Sequence, residues 1–443
     1  MERSAINHTI LNEQFEQALE DFTSGLSSLM YVLPNIIIPL ANNGLKCVRK
    51  MADGTPLSKI MSLLKQGEIP REYEKRLEEI SDTSIHTERT CRALEYSMRN
   101  HIVSSVSIFE VFMAKLVRLI YTTNPQYLDK KKALFSYNDI EKCDKDELRE
   151  KFIDYGVATF MNLSKKEQFK KLGKLLNDRI YGDFYTPMFA EVCERRHIFV
   201  HSDGVITANY IKNCKDCNVM GIDSLKVGEK IKTAPSYITN CFFTIFTTGV
   251  IIGQLVWRKC TTPQNKYADE SLVDMCVESI NDKRPYVSLQ LLLFAIDRLN
   301  KDICEENFPL FILNTALAYS LLGKVEKCVD LLNRVDWCKF AVRYQLAAQV
   351  LWGNFETAAS MMKLADLSEV EYCKMPIFES FRQSDAFVLE FEKLFGKNPQ
   401  DCTPQLLQPF EHLNTMLGIR QARQEMIEMQ KIMSLLEKEY TES

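Results

Sequence analysis

The sequence predicts an all-α protein, a helical bundle followed by an array of helical hairpins. Apolar residues recur at helical spacing over long stretches, most clearly from His101 to Tyr121. Glycine (16) and proline (14) are sparse among 443 residues, which favours helices over many short strands joined by turns. A chain of this length is too long for one compact core, so we expect two or three domains.

Residues 1–94 form a predicted N-terminal helical region, in which Glu13 to Leu29 is amphipathic. The next stretch, Leu26 to Leu45, is apolar but contains Pro34 and Pro39. Its uninterrupted apolar length falls short of the roughly 20 residues that a membrane-spanning helix needs. We therefore interpret it as a buried helix broken at proline, and we expect no contact with a membrane.

Residues 95–260 form the predicted bundle. After His101 to Tyr121, helical patterns cover Asp144 to Tyr155, Lys165 to Arg179, Phe184 to His201 and Ser236 to Arg258. The pattern from Lys165 to Arg179 carries six lysines and arginines, a basic face that is either a solvated helix surface or an RNA contact. The polar run from Thr261 to Lys266 is the best linker candidate.

Residues 268–396 carry a repeated pattern. The segment from Ala316 to Cys328 is echoed by the segment from Gln345 to Ala358, with Gly323 and Gly353 at equivalent helix–helix turns. Each segment ends on a small residue, Cys328 or Ala358, which lets the second helix of the hairpin pack closely on the first. This repeated pattern is typical of a tetratricopeptide-like array, although its period is shorter than the usual ~34 residues.

Two further segments complete the C-terminal part of the chain. Pro376 to Gly396 contains five phenylalanines and is the predicted terminal cap of the repeats. Residues 404–443 form a predicted helical tail that either binds a partner or packs back on the repeats.

Composition limits the class of function and the compartment. The net charge is −4, so no global basic field attracts nucleic acid, and any polyanion contact must come from a local patch. The 14 cysteines are scattered, many within apolar helical runs, and the N-terminus shows no signal-peptide pattern. Together these features predict a reducing, cytoplasmic environment in which most cysteines are small buried hydrophobes.

The strongest candidate for a catalytic motif is the stretch Arg196-His197-Ile198-Phe199-Val200-His201. RNA cleavage without a metal needs a base, an acid and a cation beside the phosphate; histidine supplies the first two and arginine the third. Arg196 and His201, five residues apart near a helix end, can converge on one phosphate. The spacing alone is weak evidence, since about one such match is expected by chance in a chain with six histidines.

The surroundings of this stretch resemble the HEPN family. The signature of HEPN domains is an arginine, a polar residue and then a histidine after three more positions, and this stretch matches it. The run from Glu194 to Val205 is similar to the form seen in uncharacterised prokaryotic HEPN proteins. The Phe109-Glu110 pair in the upstream helix and the segment Gly228 to Ile231 fit as well. The resemblance covers roughly residues 95–258.

The resemblance implies a four- or five-helix bundle that homodimerises, with two copies of the motif forming a composite ribonuclease site. It implies that Arg196 and His201 carry cleavage, that His197 fills the polar position, and that Glu110 orients Arg196 or a histidine. For Glu110 the alternative is a structural ion pair with Arg195 or Lys115, and for His197 a structural hydrogen bond. We take Arg195, Lys170 and Lys174 as candidate RNA-binding residues.

Two other interpretations of the chain stay open. The protein could be a catalytically silent HEPN scaffold whose repeats bind a protein partner, or an all-helical interaction protein in which the motif is a coincidence. Cys214-Lys215-Asp216-Cys217 has zinc-knuckle spacing but no second pair, and no phosphate-binding loop or hydrolase motif is present. We therefore expect an endoribonuclease that uses no cofactor and no metal.

Overall fold

The structure, a computed structural model, describes residues 2–52, 71–128, 141–261 and 265–399, and within them it contains no β-strand. This confirms the predicted all-α class. The only β-type pairing in this part of the chain is an isolated bridge between Val205 and Lys230. The described helices are α1 (Glu2–Ala52), α2 (Arg71–Thr123), α3 (Lys145–Met161), α4 (Lys165–Leu176), α5 (Ile180–Phe184), α6 (Pro187–His201), α7 (Ala208–Asp216), α8 (Pro235–Thr261), α9 (Lys266–Asn281), α10 (Pro285–Arg298), α11 (Phe308–Leu321), α12 (Val325–Asn333), α13 (Val342–Leu351), α14 (Phe355–Met361), α15 (Glu369–Lys374) and α16 (Asp385–Phe395).

The two long N-terminal helices pack along each other. The predicted break at Pro34 and Pro39 is wrong, because α1 runs through both positions without interruption. A proline inside a helix removes one backbone donor and crowds the carbonyl four residues earlier. The buried stripe of Phe15, Phe22, Leu26 and Leu33 fixes the preceding part of α1 against the core. Helix α2 likewise passes without a break through residues 94 and 95.

Helix α8 occupies the centre of the larger core, as the apolar pattern from Ser236 to Arg258 predicts. Phe15 of α1 stacks on Trp257 at a ring-centroid distance of 5.7 Å, and the Trp257 indole donates a 2.6 Å hydrogen bond to Asn12. Of the described helices, only Ser236–Thr261 is long and apolar enough to cross a membrane by length and composition. Because 78% of its most apolar stretch is buried inside the fold, its apolar character is that of a core helix.

Local capping sets the ends of the helices that precede the site. Asp144 and Ser164 form capping boxes with Glu147 and Glu167 at the starts of α3 and α4. Helix α4 ends at Leu176, three residues before the predicted end, because Asn177 adopts a left-handed conformation (φ 54°).

The C-terminal region contains the two predicted hairpins, α11–α12 and α13–α14. Gly323 (φ 72°) and Gly353 (φ 79°) form their turns in the left-handed conformation that favours glycine. Cys328 and Ala358 are buried where the second helix of each pair packs on the first. The assignment of these hairpins to a tetratricopeptide-like class stays a prediction.

The predicted cap contributes aromatic side chains to a second core that it shares with the hairpins. Four of its five phenylalanines are fully buried there: Phe378, Phe381, Phe387 and Phe391. The predicted tail, residues 404–443, lies outside the described residues. A buried ion pair connects α8 to α9, since Arg258 donates to Asp269 at 2.6 Å.

Candidate functional site

Helix α6 carries the motif from Arg196 to His201, and its two ends are fixed by local chemistry. Thr186 accepts a hydrogen bond from the backbone N–H of Phe189 at the start, where Pro187 occupies the first turn. The helix ends at His201, and the chain then turns through Asp203 (φ 49°) and Gly204 (φ 75°). The predicted end of this helix at Asp203-Gly204 is therefore confirmed.

The turn after α6 is held by charged side chains. Asp203 accepts from Arg99 of α2 at 2.8 Å and from Lys230 at 2.6 Å. These two cations, Lys230 first, hold the pKa of the Asp203 carboxyl below its usual value. The backbone N–H of Ile231 donates to the carbonyl of Gly204 at 2.9 Å. The two segments that the family resemblance singled out, Asp203-Gly204 and residues 228–231, are thus in direct contact.

One side of α6 is a buried polar cluster, which we call the clamp: Glu191, Arg195, Tyr210 and Tyr237. The Glu191 carboxylate accepts from the Arg195 guanidinium at 2.7 Å, from the Tyr210 hydroxyl at 2.6 Å and from the Tyr237 hydroxyl. Burial and the neighbouring carboxylate raise the pKa of both tyrosines, so the hydroxyls stay protonated and donate. The Arg195 guanidinium also lies 3.8 Å from the centre of the Tyr237 ring.

The clamp changes the interpretation of Arg195. Only 11% of its side chain is exposed, and its donors go to Glu191 and to the carbonyl of Lys232. The structure therefore does not bring this candidate RNA-binding residue to an open surface. The clamp joins α6 to α7 and α8, and Glu191, its central residue, was not singled out from the sequence.

The other side of α6 faces a cleft of about 650 Å³. We define the cleft by the segments that line it: Val106 and Glu110 of α2, residues 161–166 at the start of α4, Tyr185, the α6 residues Cys193, Glu194, Arg196 and His197, and the α7 side from Thr207 to Cys217. This volume is in the range of small-molecule sites in proteins.

Glu110 contacts Arg196 in the cleft, as one of the two predicted alternatives requires. Its Oε2 atom accepts from Arg196 Nη2 at 3.2 Å, and its Oε1 atom pairs with the Lys165 ammonium at 2.9 Å. The alternative partners are engaged elsewhere, because Arg195 pairs with Glu191 and Lys115 pairs with Asp21 at 2.5 Å.

Arg196 keeps hydrogen-bonding capacity beyond its contact with Glu110. Its side chain is 27% exposed, and its Nε–H is buried without a partner in the described part of the chain. A guanidinium held on one edge by a carboxylate can still present its remaining donors to a phosphate in the cleft.

The two histidines of the motif lie side by side on the outer end of α6. His197 is exposed and lines the cleft, and its ring centre is 4.7 Å from that of His201, which is also exposed. Residues four apart share a helix face, whereas residues five apart point roughly 140° away from each other. Within one chain the structure therefore places His197 next to both Arg196 and His201, and His201 is not among the residues that line the cleft.

The basic face of α4 divides between two surfaces. Lys165 and Lys166 in its first turn line the cleft, and Lys165 is held there by Glu110. Lys170 and Lys174 instead line a separate depression of about 550 Å³, beside Arg298. The structure thus does not bring the two predicted RNA-binding lysines to the cleft, and it adds Lys166, which the sequence placed only within the general basic face.

Helix α7 lines the cleft with a row of polar side chains. Asn209, Asn213 and Asp216 follow one another at four- and three-residue spacing, which places all three on one face, and all three line the cleft. The Asn213 amide donates to Glu194 of α6 at 3.0 Å. The spacing of these side chains after Thr207, which caps α7, is the sequence signal that would have identified this row.

Burial raises the pKa of both thiols that line the cleft, to about 12 for Cys193 and in the same direction for Cys217. It also raises the pKa of Cys214, which is buried in α7, to about 12. Metal binding and nucleophilic attack both require the thiolate. Across the described ranges, no group of three histidine, cysteine, aspartate or glutamate side chains is arranged to hold a metal ion.

The cleft therefore combines one imidazole, that of His197, with an arginine positioned by a carboxylate and two lysines, and the His201 ring lies beside His197 outside the cleft lining. Imidazoles can donate and accept protons near neutral pH, and the cations can stabilise charge on a phosphate. This combination suits acid–base chemistry on a phosphodiester. Comparison of the chain with models of known protein families, with curated proteins and with solved structures found no match.

Proposed function

We propose that this protein is a metal-independent endoribonuclease of the HEPN type that acts as a homodimer with a composite site. One observation carries the proposal: Arg196, positioned by Glu110, lies next to His197 in an open cleft, and the ring of His201 is 4.7 Å from that of His197. The residues that the HEPN signature would use thus have open, polar surroundings.

The proposed reaction is an intramolecular transesterification of RNA. One imidazole accepts the proton of a ribose 2′-hydroxyl, and the 2′-oxygen attacks the adjacent phosphorus. The bond from phosphorus to the 5′-oxygen of the next nucleotide breaks, and a second, protonated imidazole donates its proton to that oxygen. The products are a 2′,3′-cyclic phosphate and a free 5′-hydroxyl, and no metal or oxidant is needed.

The cations of the cleft have distinct roles in this proposal. Arg196 stabilises the negative charge on the phosphate oxygens as the fifth bond to phosphorus forms. Lys166, which is partly buried and lines the cleft, attracts the RNA backbone. Glu110 is a positioning residue, because it holds the guanidinium of Arg196 and the ammonium of Lys165 without reaching the reacting atoms.

A second copy of the chain completes the proposed site. His201 is exposed and Val200 beside it is 47% exposed, while Tyr96 and Val111 on the neighbouring helix α2 are 56% and 59% exposed. We propose that these exposed apolar side chains of α2 and α6 contribute to the interface between the two copies. In the dimer, Arg196 of one protomer would act with the partner subunit's His201. We expect the mass of a dimer in solution and a specific activity that falls on dilution.

The test is RNA cleavage by the purified full chain in the presence of a chelator. We expect fragments ending in 2′,3′-cyclic phosphate, and we expect Arg196→Ala and His201→Ala to lose cleavage. An equal mixture of these two inactive variants should recover part of the activity, since each supplies the residue that the other lacks. Cleavage that survives both substitutions, or that disappears with the chelator, would show that the proposal is wrong.

The alternative function is a catalytically silent scaffold. One observation favours it: both carboxylate oxygens of Glu110 contact cations, so the charge of Arg196 is already partly neutralised. A silent scaffold would form the same dimer and yet leave RNA intact at every protein concentration, whereas the proposed enzyme would not.

The cellular role follows by analogy with HEPN ribonucleases. We propose a phage-defence or toxin effector that acts in the cytoplasm. The tetratricopeptide-like repeats would bind a protein partner that controls it. The abundance of free cysteines among the described residues is consistent with a reducing compartment. Growth arrest on expression of the wild-type chain, absent with His201→Ala, is the expected phenotype.

A further inference from the structure

The cleft is lined by side chains of two chemical kinds. The first, which we call the donor wall, consists of Lys165, Lys166 and Arg196, whose side chains donate hydrogen bonds and carry positive charge. The second, which we call the α7 wall, consists of Asn209, Asn213 and Asp216 of α7 together with Glu194 of α6. A nucleotide likewise combines an anionic phosphate with a base edge that forms hydrogen bonds.

The α7 wall is rich in hydrogen-bond acceptors. The Asn213 amide nitrogen donates to Glu194 Oε2, which leaves the Asn213 carbonyl oxygen and the second Glu194 oxygen as acceptors. Asp216 is exposed, lines the cleft and adds two more carboxylate oxygens. Two carboxylates with two carboxamides therefore face a ligand that would occupy the cleft.

The donor wall points independently to a bound anion. Arg196 has a buried Nε–H without a partner within the described residues, although its neighbouring Nη2 is held by Glu110. A buried donor of this kind costs free energy unless a ligand or water accepts from it. A phosphate oxygen next to Arg196 and Lys166 would satisfy it.

Guanine is the base that fits a wall of acceptors. Its Watson–Crick edge presents two adjacent donors, N1–H and the 2-amino group, and a carboxylate can accept from both at once. Adenine and cytosine present one donor beside an acceptor, and uracil presents one donor between two acceptors, so a carboxylate faces lone pairs in each of these bases. Unpaired bases in single-stranded RNA expose this edge to proteins.

We infer that the cleft is a guanosine nucleotide site, in which Glu194 and Asp216 accept hydrogen bonds from the guanine edge while Arg196 and Lys166 hold the adjacent phosphate. This inference rests on the proposed function for its biological meaning, since it makes the enzyme selective for RNA with guanosine at the bond that is cut. The binding itself requires no cleavage and can be measured separately.

The test measures binding of guanosine, inosine, adenosine and uridine 3′-monophosphates to the full chain by isothermal titration calorimetry. Guanosine 3′-monophosphate should bind at least about tenfold more tightly than the uridine nucleotide, because a hydrogen bond to a charged group contributes that much or more. The inosine nucleotide, which lacks the 2-amino group, should fall between them. Equal affinity for all four nucleotides would overturn the inference.

Variants locate the site. Asp216→Asn and Glu194→Gln, singly and together, should reduce the preference for guanosine by several-fold while binding of the uridine nucleotide stays the same. Asp223→Asn is the matched control, since this carboxylate pairs with Lys215 and does not line the cleft. A preference that is unchanged in the double variant would place guanine recognition elsewhere and contradict the inference.

The two proposals fail in different ways. If guanosine 3′-monophosphate binds selectively but RNA is not cut, the proposed ribonuclease activity is wrong and the nucleotide site stands. If RNA is cut at all four bases alike and the four nucleotides bind alike, the ribonuclease activity stands and the guanosine site is wrong.

Discussion

Arg195 and Arg196 are adjacent on α6, but they differ in burial and in the partners of their side chains. Arg195 is 11% exposed and donates to Glu191, a carboxylate that is 5% exposed and also accepts from two tyrosines. Arg196 and its partner Glu110 are each 27% exposed, and the pair opens onto a cleft. The two side chains leave α6 about 100° apart, so Arg195 joins the buried clamp while Arg196 faces the open cleft.

The difference shows how a fold assigns roles to identical side chains. In the clamp, the buried charges of Arg195 and Glu191 compensate each other and the two tyrosines complete the coordination of the carboxylate, so the cluster connects three helices. In the cleft, Arg196 retains a buried donor with no partner in the described structure. Arg195 therefore connects helices, whereas we propose that Arg196 binds a ligand.

The largest expected effect concerns the two histidines of α6. His197→Ala and His201→Ala should each lower the rate of RNA cleavage by about 10²–10⁴-fold, because each removes a positioned proton donor or acceptor. Both residues are exposed, so the free energy of unfolding should change little. His86→Ala, an exposed histidine elsewhere on α2, is the control and should cleave normally. Single-turnover kinetics with denaturant unfolding on the same samples measure both quantities.

The next effect separates the two ion pairs by stability. Glu191→Gln leaves the buried Arg195 without a charged partner and should lower the free energy of unfolding by about 3–5 kcal/mol. Glu110→Gln affects a partly exposed pair and should cost about 1 kcal/mol or less. Urea unfolding followed by circular dichroism gives both values. Equal losses in the two variants would remove the distinction between clamp and cleft.

A smaller effect concerns the turn that ends α6. Gly204 has φ 75°, and an added Cβ atom would lie 2.9 Å from the Arg99 guanidinium and 3.2 Å from the Phe199 ring. Gly221 has nearly the same φ (77°), but a Cβ atom added there would meet no other atom within 4 Å. Gly221→Ala should therefore cost only the backbone strain of about 1–2 kcal/mol, and Gly204→Ala should cost measurably more. Thermal unfolding of the two variants makes the comparison, and equal losses would contradict the close packing of Gly204.

The smallest effect concerns the two surfaces of α4. Lys166→Ala should weaken RNA binding several-fold and reduce its dependence on salt, because one phosphate contact is lost. Lys174→Ala, on the separate depression, is the matched control and should bind RNA like the wild type. Fluorescence anisotropy at several salt concentrations measures both. A larger loss of RNA-binding affinity for Lys174→Ala than for Lys166→Ala would indicate that RNA binds at the second surface.

Much of the fold could be predicted from the sequence because periodicity and turn residues are local signals. The ends of α2 and α6, the central helix α8 and the glycine turns of both hairpins all follow from them. The predicted break at Pro34 and Pro39 is wrong, because α1 continues through both prolines, and a local preference did not decide the length of this helix.

The candidate site was harder to predict, because its residues depend on which way each helix face points. Arg195 and Arg196 are equivalent in the sequence, and only packing against Tyr237 and Glu110 distinguishes them. Lys170 and Lys174 were preferred to Lys166 for the same reason. Helix α7, which lines the cleft with Asn209, Asn213 and Asp216, has only nine residues and was not predicted as a helix, although the spacing of these side chains after Thr207 was a usable signal.

The most direct test of the central claim compares Arg195→Lys with Arg196→Lys, since lysine keeps the charge of each residue but not its planar fork. Cleavage of RNA per folded molecule and the free energy of unfolding are measured for both variants. We expect Arg196→Lys to lose most of the cleavage at nearly normal stability, and Arg195→Lys to lose stability while the folded fraction cleaves normally. The reverse pattern, or the same loss of both quantities in the two variants, would contradict the division of α6 into a structural and a catalytic side.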